Sequence, residues 1–355
     1  MIQNNIHIDP IAAINAEAEK ALNSPDKIGI MAVKSANQWV DDAMKEPIPK
    51  KYFWDLIVEK ECTVIIASSN AGKSLFTTQM AEAVARENKV LYLDCELSAK
   101  QFQMRYVDEC THAIHRFPEN LLRAELRPED IVDSNMEQAI LDSIAIAAEN
   151  MGIRHFFVDH ITFLLNDSEK GEAAGEFMKK ILFLKKEYGL TLVIVGHSPK
   201  REPRTPMTQN DLAGSAKLMN FFDSGIAIGR SAKGSDLRYV KHVKVRTGKH
   251  IYDSENALLF RLEQIDGYTQ FVFQEDHVKE ADHLRPKNSL TEAEDLQELI
   301  DLHAQNKTVR QIADETGFAP TTVHRKLKKA EQLGYKPTSS SVPFHSGVEQ
   351  TEQKD

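Results

Sequence analysis

The residues best suited to chemistry are Gly72, Lys73 and Ser74, which follow a run of small residues at 68–71. The β-branched residues 64–66 predict a buried strand before this run, and the sequence after Ser74 is typical of a helix. In such a strand–loop–helix, the loop N–H groups and the helix N-terminus converge on one anion, as in a phosphate-binding loop. We therefore predict that ATP binds to Ala67, Ser68, Ser69, Asn70, Ala71, Gly72, Lys73, Ser74 and Leu75.

Two side chains of this segment have distinct predicted roles. Lys73 would reach the β- and γ-phosphates, and the Ser74 hydroxyl would hold Mg²⁺. Ala67 stands where the pattern G-x-x-x-x-G-K-[ST] has its first glycine, so the start of the loop must be less strained than usual. The alternative interpretation is an ordinary strand–turn–helix with a chance Gly-Lys-Ser.

Polar residues at the ends of apolar strands complete the predicted chemistry. Asp159 ends the run at 153–159, the place of a carboxylate that orders the water shell of Mg²⁺ beside a phosphate loop. Glu96 ends the strand predicted after the phosphate-loop helix, where a carboxylate can polarise the attacking water. Asp94 is the rival base, but its side chain is expected on the opposite side of that strand. His197 ends a further strand and could hydrogen-bond the γ-phosphate. Ordinary strand-end residues are the alternative for Asp159 and His197.

A sheet must hold these residues at one edge. Near-continuous apolar strands alternate with helices over residues 62–197, which predicts a parallel sheet covered on both faces. The predicted fold class is α/β, a doubly wound, mostly parallel sheet with helices on both faces and a small all-α domain in addition. The strands are expected at 64–66, 89–96, 121–126, 153–160, 190–197, 224–231, 237–246, 257–263 and 268–274.

Changes in composition predict five segments along the chain. The sequence indicates an N-terminal helical extension at 1–50, the sheet domain at 51–275, a charged linker at 276–289, a helical domain at 290–336 and a disordered polar tail at 337–355.

Residues 308–327 have the pattern of a helix-turn-helix. Ala313 is the small residue where two helices meet, Gly317 makes the turn, and Val323 and Leu327 pack the second helix. The surrounding residues 306–336 contain seven Lys or Arg and three Asp or Glu. We therefore predict contacts with duplex DNA, and a protein-binding module is the alternative. The candidate DNA-binding residues of this domain are Thr321, Thr322, His324, Arg325 and Lys326.

The central part of the chain resembles the RecA-like P-loop ATPases. After the phosphate loop, Leu-Tyr-Leu-Asp-Cys-Glu-Leu-Ser-Ala-Lys-Gln at 91–101 and Phe-Phe-Val-Asp at 156–159 are similar to DnaB-type and RepA-type hexameric helicases. The resemblance covers about residues 50–250, and Ala67 departs from it. It implies a RecA-like fold, a catalytic base at Glu96, a phosphate sensor at His197, and action by Lys244 and Arg246 on the ATP of a neighbouring subunit.

Basic segments predict DNA as a partner. Residues 230–250 contain seven Lys or Arg and one acid, and the loop after His197 adds Lys200, Arg201 and Arg204. In RecA-like rings that loop faces the central channel, where positive charge would track single-stranded DNA. The same resemblance implies self-association, most simply as a hexamer. A solvated basic face is the alternative.

Composition limits the class of protein. A hydrophobic share of 41% and a charged share of 27% are typical of a soluble globular protein, and the net charge of −9 argues against a uniformly basic surface. The sequence shows neither an apolar run of roughly 20 residues nor a signal peptide pattern. The three cysteines have no metal-ligand spacing, so we expect core thiols of a cytoplasmic protein without a membrane partner.

Taken as a sequence, the chain predicts an ATP-hydrolysing, Mg²⁺-dependent motor that acts on DNA. The most specific interpretation is a helicase or single-strand DNA translocase in replication or mobile-element maintenance. The alternatives are a RadA/KaiC-like recombination, repair or regulatory ATPase that does not unwind DNA, and an ATP-controlled helix-turn-helix regulator.

Overall fold

The computed structural model describes residues 27–68, 70–108, 111–131, 135–159, 170–198, 205–212, 218–265, 267–284, 292–316 and 318–337. The first 26 residues of the predicted extension, residues 285–289 of the predicted linker and residues 338–355 of the predicted tail lie outside these ranges. The chain divides into two compact units, one before Lys50 and one from Lys50 onwards. None of the helices in the described ranges is long and apolar enough to cross a membrane.

The described part of the first unit contains a short hairpin and one helix. Strands β1 (Lys27–Ile28) and β2 (Met31–Ala32) pair antiparallel, and helix α1 follows at Ala36–Ala43. The helix begins at Ala36 because the Ser35 hydroxyl accepts a hydrogen bond from the Gln38 N–H, which satisfies one of the exposed donors of the first turn.

The second unit is built on a nine-stranded sheet, beside which β3 (Lys51–Tyr52) and β4 (Ile57–Val58) form a small hairpin. The predicted α/β class, with a mostly parallel sheet and helices on both faces, is confirmed. The strands of the sheet are β5 (Cys62–Ala67), β6 (Val90–Asp94), β7 (Leu121–Glu125), β8 (His155–Asp159), β9 (Thr191–His197), β10 (Ser224–Arg230), β11 (Leu237–Val245), β12 (Ala257–Ile265) and β13 (Tyr268–Val278).

The strand order is β13-β12-β11-β10-β5-β9-β8-β6-β7. The six strands from β10 to β7 are parallel, and β11, β12 and β13 extend the sheet antiparallel. This order is consistent with the expected RecA-like fold. Because the six central strands run in one direction, the ends of β5, β6, β8 and β9 lie at one edge of the sheet, where ligands of open α/β sheets bind.

Alternating side chains of the central strands form two apolar cores. Val64 and Ile66 of β5 lie in the core with α4 (Met136–Met151) and α5 (Lys170–Tyr188). Ile65 and Ala67 lie in the opposite core with α2 (Lys73–Ala85). Since β5 is buried on both faces, its sequence is a continuous apolar run instead of an alternating one. The short helix α3 (Ala99–Arg105) follows β6 and begins with a capping box at Ser98.

The predicted linker begins differently in the structure. Residues 276–278 continue β13, and a 3-10 helix follows at Glu280–His283. Glu280 is 1% exposed. Its carboxylate can be buried because it forms an ion pair with Lys241 of β11 at 2.5 Å and accepts a hydrogen bond from the Ser254 hydroxyl. The charged composition that suggested a linker therefore includes an acid that is buried through an ion pair.

Three helices form the last described part of the chain. They are α6 (Glu292–Ala304), α7 (Val309–Thr316) and α8 (Pro320–Gln332). Ala313, Val323 and Leu327, the residues that the sequence pattern placed inside, are buried in one apolar cluster with Leu299 and Ile312. Gly317 lies outside the described residues, and the helix-turn-helix assignment stays a prediction.

Candidate nucleotide-binding site

The phosphate loop, residues 68–72, joins the end of β5 to the start of α2. Ala67 is the last residue of β5 and pairs with His197 of β9, so its backbone is extended and needs no glycine. Gly72 has φ 95°, and a Cβ there would lie 2.8 Å from the ring of Phe271. Both the backbone and the space therefore require the second glycine of the pattern but not the first.

Lys73 begins α2 and is 7% exposed. Its ammonium group donates to the carbonyl oxygens of Ala67 at 3.1 Å and Ser68 at 3.2 Å. Burial lowers the pKa of Lys73, and the nearby negative charges of Asp159 and Glu96 oppose that effect. The cation is thus held inside the loop between the two predicted carboxylates, where phosphate oxygens would replace the carbonyl groups as acceptors.

Asp159 ends β8 and is 3% exposed. Its Oδ2 accepts a hydrogen bond from the Tyr92 hydroxyl at 2.7 Å. Its Oδ1 is buried and has no hydrogen-bond partner among the described residues. A buried carboxylate oxygen normally has a partner, so this atom fits a water molecule of a Mg²⁺ shell.

The protein ligands available to a metal ion are few. Among the residues with described positions, no group of three His, Cys, Asp or Glu side chains could hold a metal ion. Mg²⁺ usually binds through one or two protein oxygens, several waters and the phosphates of its substrate. Ser74 at the start of α2 and Asp159 at the end of β8 are suited to that type of site.

Glu96 and Asp94 have different environments. Asp94 is 3% exposed and accepts hydrogen bonds from the backbone N–H groups of Glu96 and Leu97. The Arg123 guanidinium of β7 also donates to Asp94, at 2.9 and 3.1 Å. Glu96 lies two residues beyond β6 and is exposed, and its negative charge acts to raise the pKa of Lys73. Asp94 is therefore occupied in holding the turn that carries Glu96.

The remaining residues with predicted catalytic roles lie at two edges of the sheet. His197 ends β9 next to Ala67, and its side chain lies outside the described part of the structure, as does all of Ser69. Lys244 lies near the end of β11, which runs antiparallel to β10 and so ends beside the start of β5. Arg246 follows that strand. Since β5 has six residues, its length separates this edge from the phosphate loop by about 20 Å.

Arg246 is part of a charged cluster at this far edge. Its guanidinium donates to Asp223 Oδ1 at 2.8 Å and to the Asn220 carbonyl at 2.8 Å. Asp223 is 6% exposed, and its Oδ2 accepts from Lys185 and from the Cys62 N–H. The Lys244 ammonium donates to the Met219 carbonyl at 2.6 Å. The strand expected at 237–246 ends at Val245, so Lys244 lies within β11 and Arg246 directly after it.

Sequence reasoning missed two arginines at the phosphate loop. Arg230 ends β10 and donates to the Asn70 carbonyl at 2.9 Å, and Arg238 near the start of β11 donates to the Ala71 carbonyl at 3.0 Å. Both were counted in the basic segment at 230–250 that was interpreted as a DNA-binding surface. The available signal was the position of Arg230 at the end of a strand next to β5.

The candidate DNA contacts are only partly described. Lys200, Arg201 and Arg204 lie outside the described residues. On α8, His324 and Arg325 are exposed, as is Thr321, and Thr322 is half-buried. Lys326 differs, because its ammonium pairs with Asp295 of α6 at 2.5 Å and lies 4.4 Å from the centre of the Phe318 ring. The geometry of Lys326 is that of a structural residue between helices.

Residues 30–203 match the family model described as an AAA domain. A comparison with curated proteins gives no match. The matched range includes β5, the phosphate loop, Glu96, Asp159 and all of β9. The match supports a P-loop ATPase.

Proposed function

We propose that this ATPase is a motor that hydrolyses ATP with Mg²⁺ and acts on DNA, as a helicase or single-strand DNA translocase. The observation that carries the proposal is the position of Lys73, Glu96 and Asp159 at one edge of the sheet and of Arg246 at the other. In a motor whose subunits hydrolyse ATP in a coupled way, a residue of one subunit must contact the nucleotide that is bound to its neighbour. Of the basic segment at 230–250, the exposed Lys233 and Lys249 have a charge suited to a DNA backbone, whereas Arg230, Arg238 and Lys241 bond within the protein.

In this proposal, residues of one subunit bind the nucleotide and orient the reaction. Lys73 and the loop N–H groups hold the phosphates, and Ser74 and Asp159 would hold Mg²⁺, which neutralises phosphate charge. Glu96 accepts a hydrogen bond from the attacking water and takes its proton. His197 lies on the strand next to β5 and would contact the γ-phosphate.

A neighbouring subunit would supply Arg246, assisted by Lys244. A guanidinium suits the transition state because it donates several hydrogen bonds in one plane to the phosphoryl oxygens. Arg246 cannot serve its own phosphate loop, since the length of β5 lies between them. Assembly into a ring, most simply a hexamer, would bring the two edges together.

The test is the ATPase rate with and without single-stranded DNA, with the mass of the assembly measured in the same buffers. We expect an oligomer whose ATP turnover rises with single-stranded DNA and which separates a forked duplex when ATP is present. Stimulation without strand separation would instead support the recombination, repair or regulatory ATPase. An ATPase that stays monomeric and ignores DNA would contradict the motor.

A second candidate is an ATP-controlled DNA-binding regulator. It is favoured by the exposed basic side chains of α8, which include Arg325 and Lys328 beside His324. A helix-turn-helix places such residues against duplex DNA. Duplex binding that depends on base sequence and is lost when the chain ends at residue 289, without strand separation by the full chain, would favour this function over the motor.

A further inference from the structure

Arg238 is a buried cation whose hydrogen bonds to the described residues all go to carbonyl groups. It is 5% exposed, and no carboxylate of the described residues lies within ion-pair distance of it. Its Nε donates to the Ala71 carbonyl at 3.0 Å, and its Nη1 donates to the carbonyls of Ser235 at 2.7 Å and Leu237 at 2.8 Å. Burial of an unpaired cation is costly, so a specific contact should compensate for it.

Arg230 brings a second guanidinium to the same loop. It faces Arg238 across the β10–β11 pair, and its Nη2 donates to the Asn70 carbonyl at 2.9 Å. The hairpin thus places one arginine on each of two consecutive carbonyl groups of the phosphate loop. The pKa of Arg238 is lowered to about 10, first by burial of its side chain and next by the nearby positive charge of Arg230. Both side chains remain cationic at neutral pH.

These contacts set the direction of the loop N–H groups. In a trans peptide unit, the C=O of one residue and the N–H of the next point in opposite directions. A guanidinium that holds the Ala71 carbonyl on its side of the loop therefore turns the Gly72 N–H to the other side. In a phosphate-binding loop, such N–H groups must point at the anion. Arg230 holds the neighbouring peptide, whose Ala71 N–H donates to the Ser68 carbonyl at 3.3 Å and so closes the loop on itself.

We propose that Arg238, assisted by Arg230, is a positioning residue that holds the phosphate loop in its binding conformation through the Ala71 and Asn70 carbonyl groups. The inference rests on the proposed nucleotide site at Lys73. Because the arginines contact the loop backbone, they affect the phosphates that ADP and ATP share. A direct contact with the γ-phosphate would instead affect ATP alone, so the two roles are separable by experiment.

The experiment measures the Kd of fluorescent ADP and ATP analogues, together with kcat and KM for ATP, for Arg238→Lys and Arg230→Lys. A lysine keeps the charge but cannot hold several carbonyls in one plane. We expect Arg238→Lys to lower the affinities for ADP and for ATP by the same factor. This factor should be on the order of tenfold, the scale for a hydrogen bond to a charged group. KM should rise by that factor while kcat changes by less than about threefold. Arg230→Lys, which alters a less buried side chain, should show a smaller change of the same kind.

The matched control is Arg261→Lys, since Arg261 lies on β12 of the same sheet, is exposed and pairs with Asp236. It should leave both affinities unchanged. Unchanged nucleotide affinity in both test variants, loss for ATP only, or a fall in kcat at constant Kd would each overturn the positioning role. If Arg238→Lys does not fold, the Arg230→Lys result decides by the same criteria. Lys73→Ala is measured beside them, because normal ADP and ATP binding by that variant would show that the nucleotide site itself is wrong.

Discussion

The Tyr92 hydroxyl of β6 donates a hydrogen bond to Oδ2 of Asp159 on the adjacent strand β8, at 2.7 Å. Both side chains are 3% exposed. The bond fixes one carboxylate oxygen, so the other, Oδ1, is held in one direction at the end of the strand. Burial, and next the charge of Asp159, raise the pKa of Tyr92 well above its usual value, so the phenol remains a donor at neutral pH.

We expect this bond to control the requirement for Mg²⁺. Asp159→Asn should raise the Mg²⁺ concentration needed for half-maximal ATP turnover by about 100-fold or more, because it removes a charged partner of the metal shell. Tyr92→Phe should raise it by about tenfold, the lower range for losing a partner of a metal ligand. Tyr188→Phe, which alters a half-buried tyrosine whose hydroxyl donates to Glu149, should have no effect. A Mg²⁺ titration of Tyr92→Phe that overlays the parent curve would contradict this account.

The two carboxylates after β6 should separate into a catalytic and a structural residue. Glu96→Gln should retain ATP binding and lower turnover by about 10²-fold or more, the scale for a positioned base. Asp94→Asn should lower the free energy of unfolding by about 3 kcal/mol, because it breaks a buried pair with Arg123. Denaturant unfolding and single-turnover ATP hydrolysis distinguish the two. Normal turnover by Glu96→Gln, with loss of turnover by a stably folded Asp94→Asn, would reverse the assignment.

Arg246 should act on the nucleotide of a neighbouring subunit. Arg246→Ala and Lys73→Ala subunits should each be inactive alone, and a mixture should recover some turnover, because one variant supplies an intact phosphate loop and the other an intact arginine. Where such arginines have been measured, they contribute about 10³-fold or more to turnover. The control mixture pairs Lys73→Ala with a subunit that carries both substitutions, and it should stay inactive. Mixed assemblies of confirmed mass that never recover turnover would count against the role in trans.

Neighbouring residues of α8 should separate DNA binding from folding. Arg325→Ala should leave thermal unfolding unchanged and reduce the salt dependence of duplex binding by about one unit of slope, as expected for one phosphate contact. Lys326→Ala should lower the free energy of unfolding of the three-helix part by about 2 kcal/mol, because it removes the ion pair between Lys326 and the buried Asp295. Calorimetry and fluorescence anisotropy at several salt concentrations measure both effects. Equal duplex affinity for the parent, Arg325→Ala and a chain ending at residue 289 would favour a protein-binding module.

The sequence was informative where the signal is local. The central strands, the helix after the phosphate loop and the strand-end position of Asp159 follow from short apolar runs, which decide burial within a few residues. Contacts between distant segments leave no such pattern. Arg238 reaches Ala71 across 167 positions, and Lys326 reaches Asp295 across 31. Each of these two residues lies in a segment rich in Lys and Arg, which is the composition of a DNA-binding surface. Only the fold shows that its side chain contacts other parts of the protein.

The placement of the phosphate loop and Arg246 at opposite edges of one sheet makes the protomer directional. A two-fold dimer uses the same surface patch on both subunits, and one patch cannot contain both edges. If Arg246 completes a neighbour's site, the contact must be head-to-tail, and a pair of subunits then forms one complete site and leaves one half-site at each end. Every site is complete only when the head-to-tail assembly of subunits closes into a ring. Specific activity per subunit should therefore rise steeply with protein concentration until closed assemblies form, and an open filament would always retain one unfinished site.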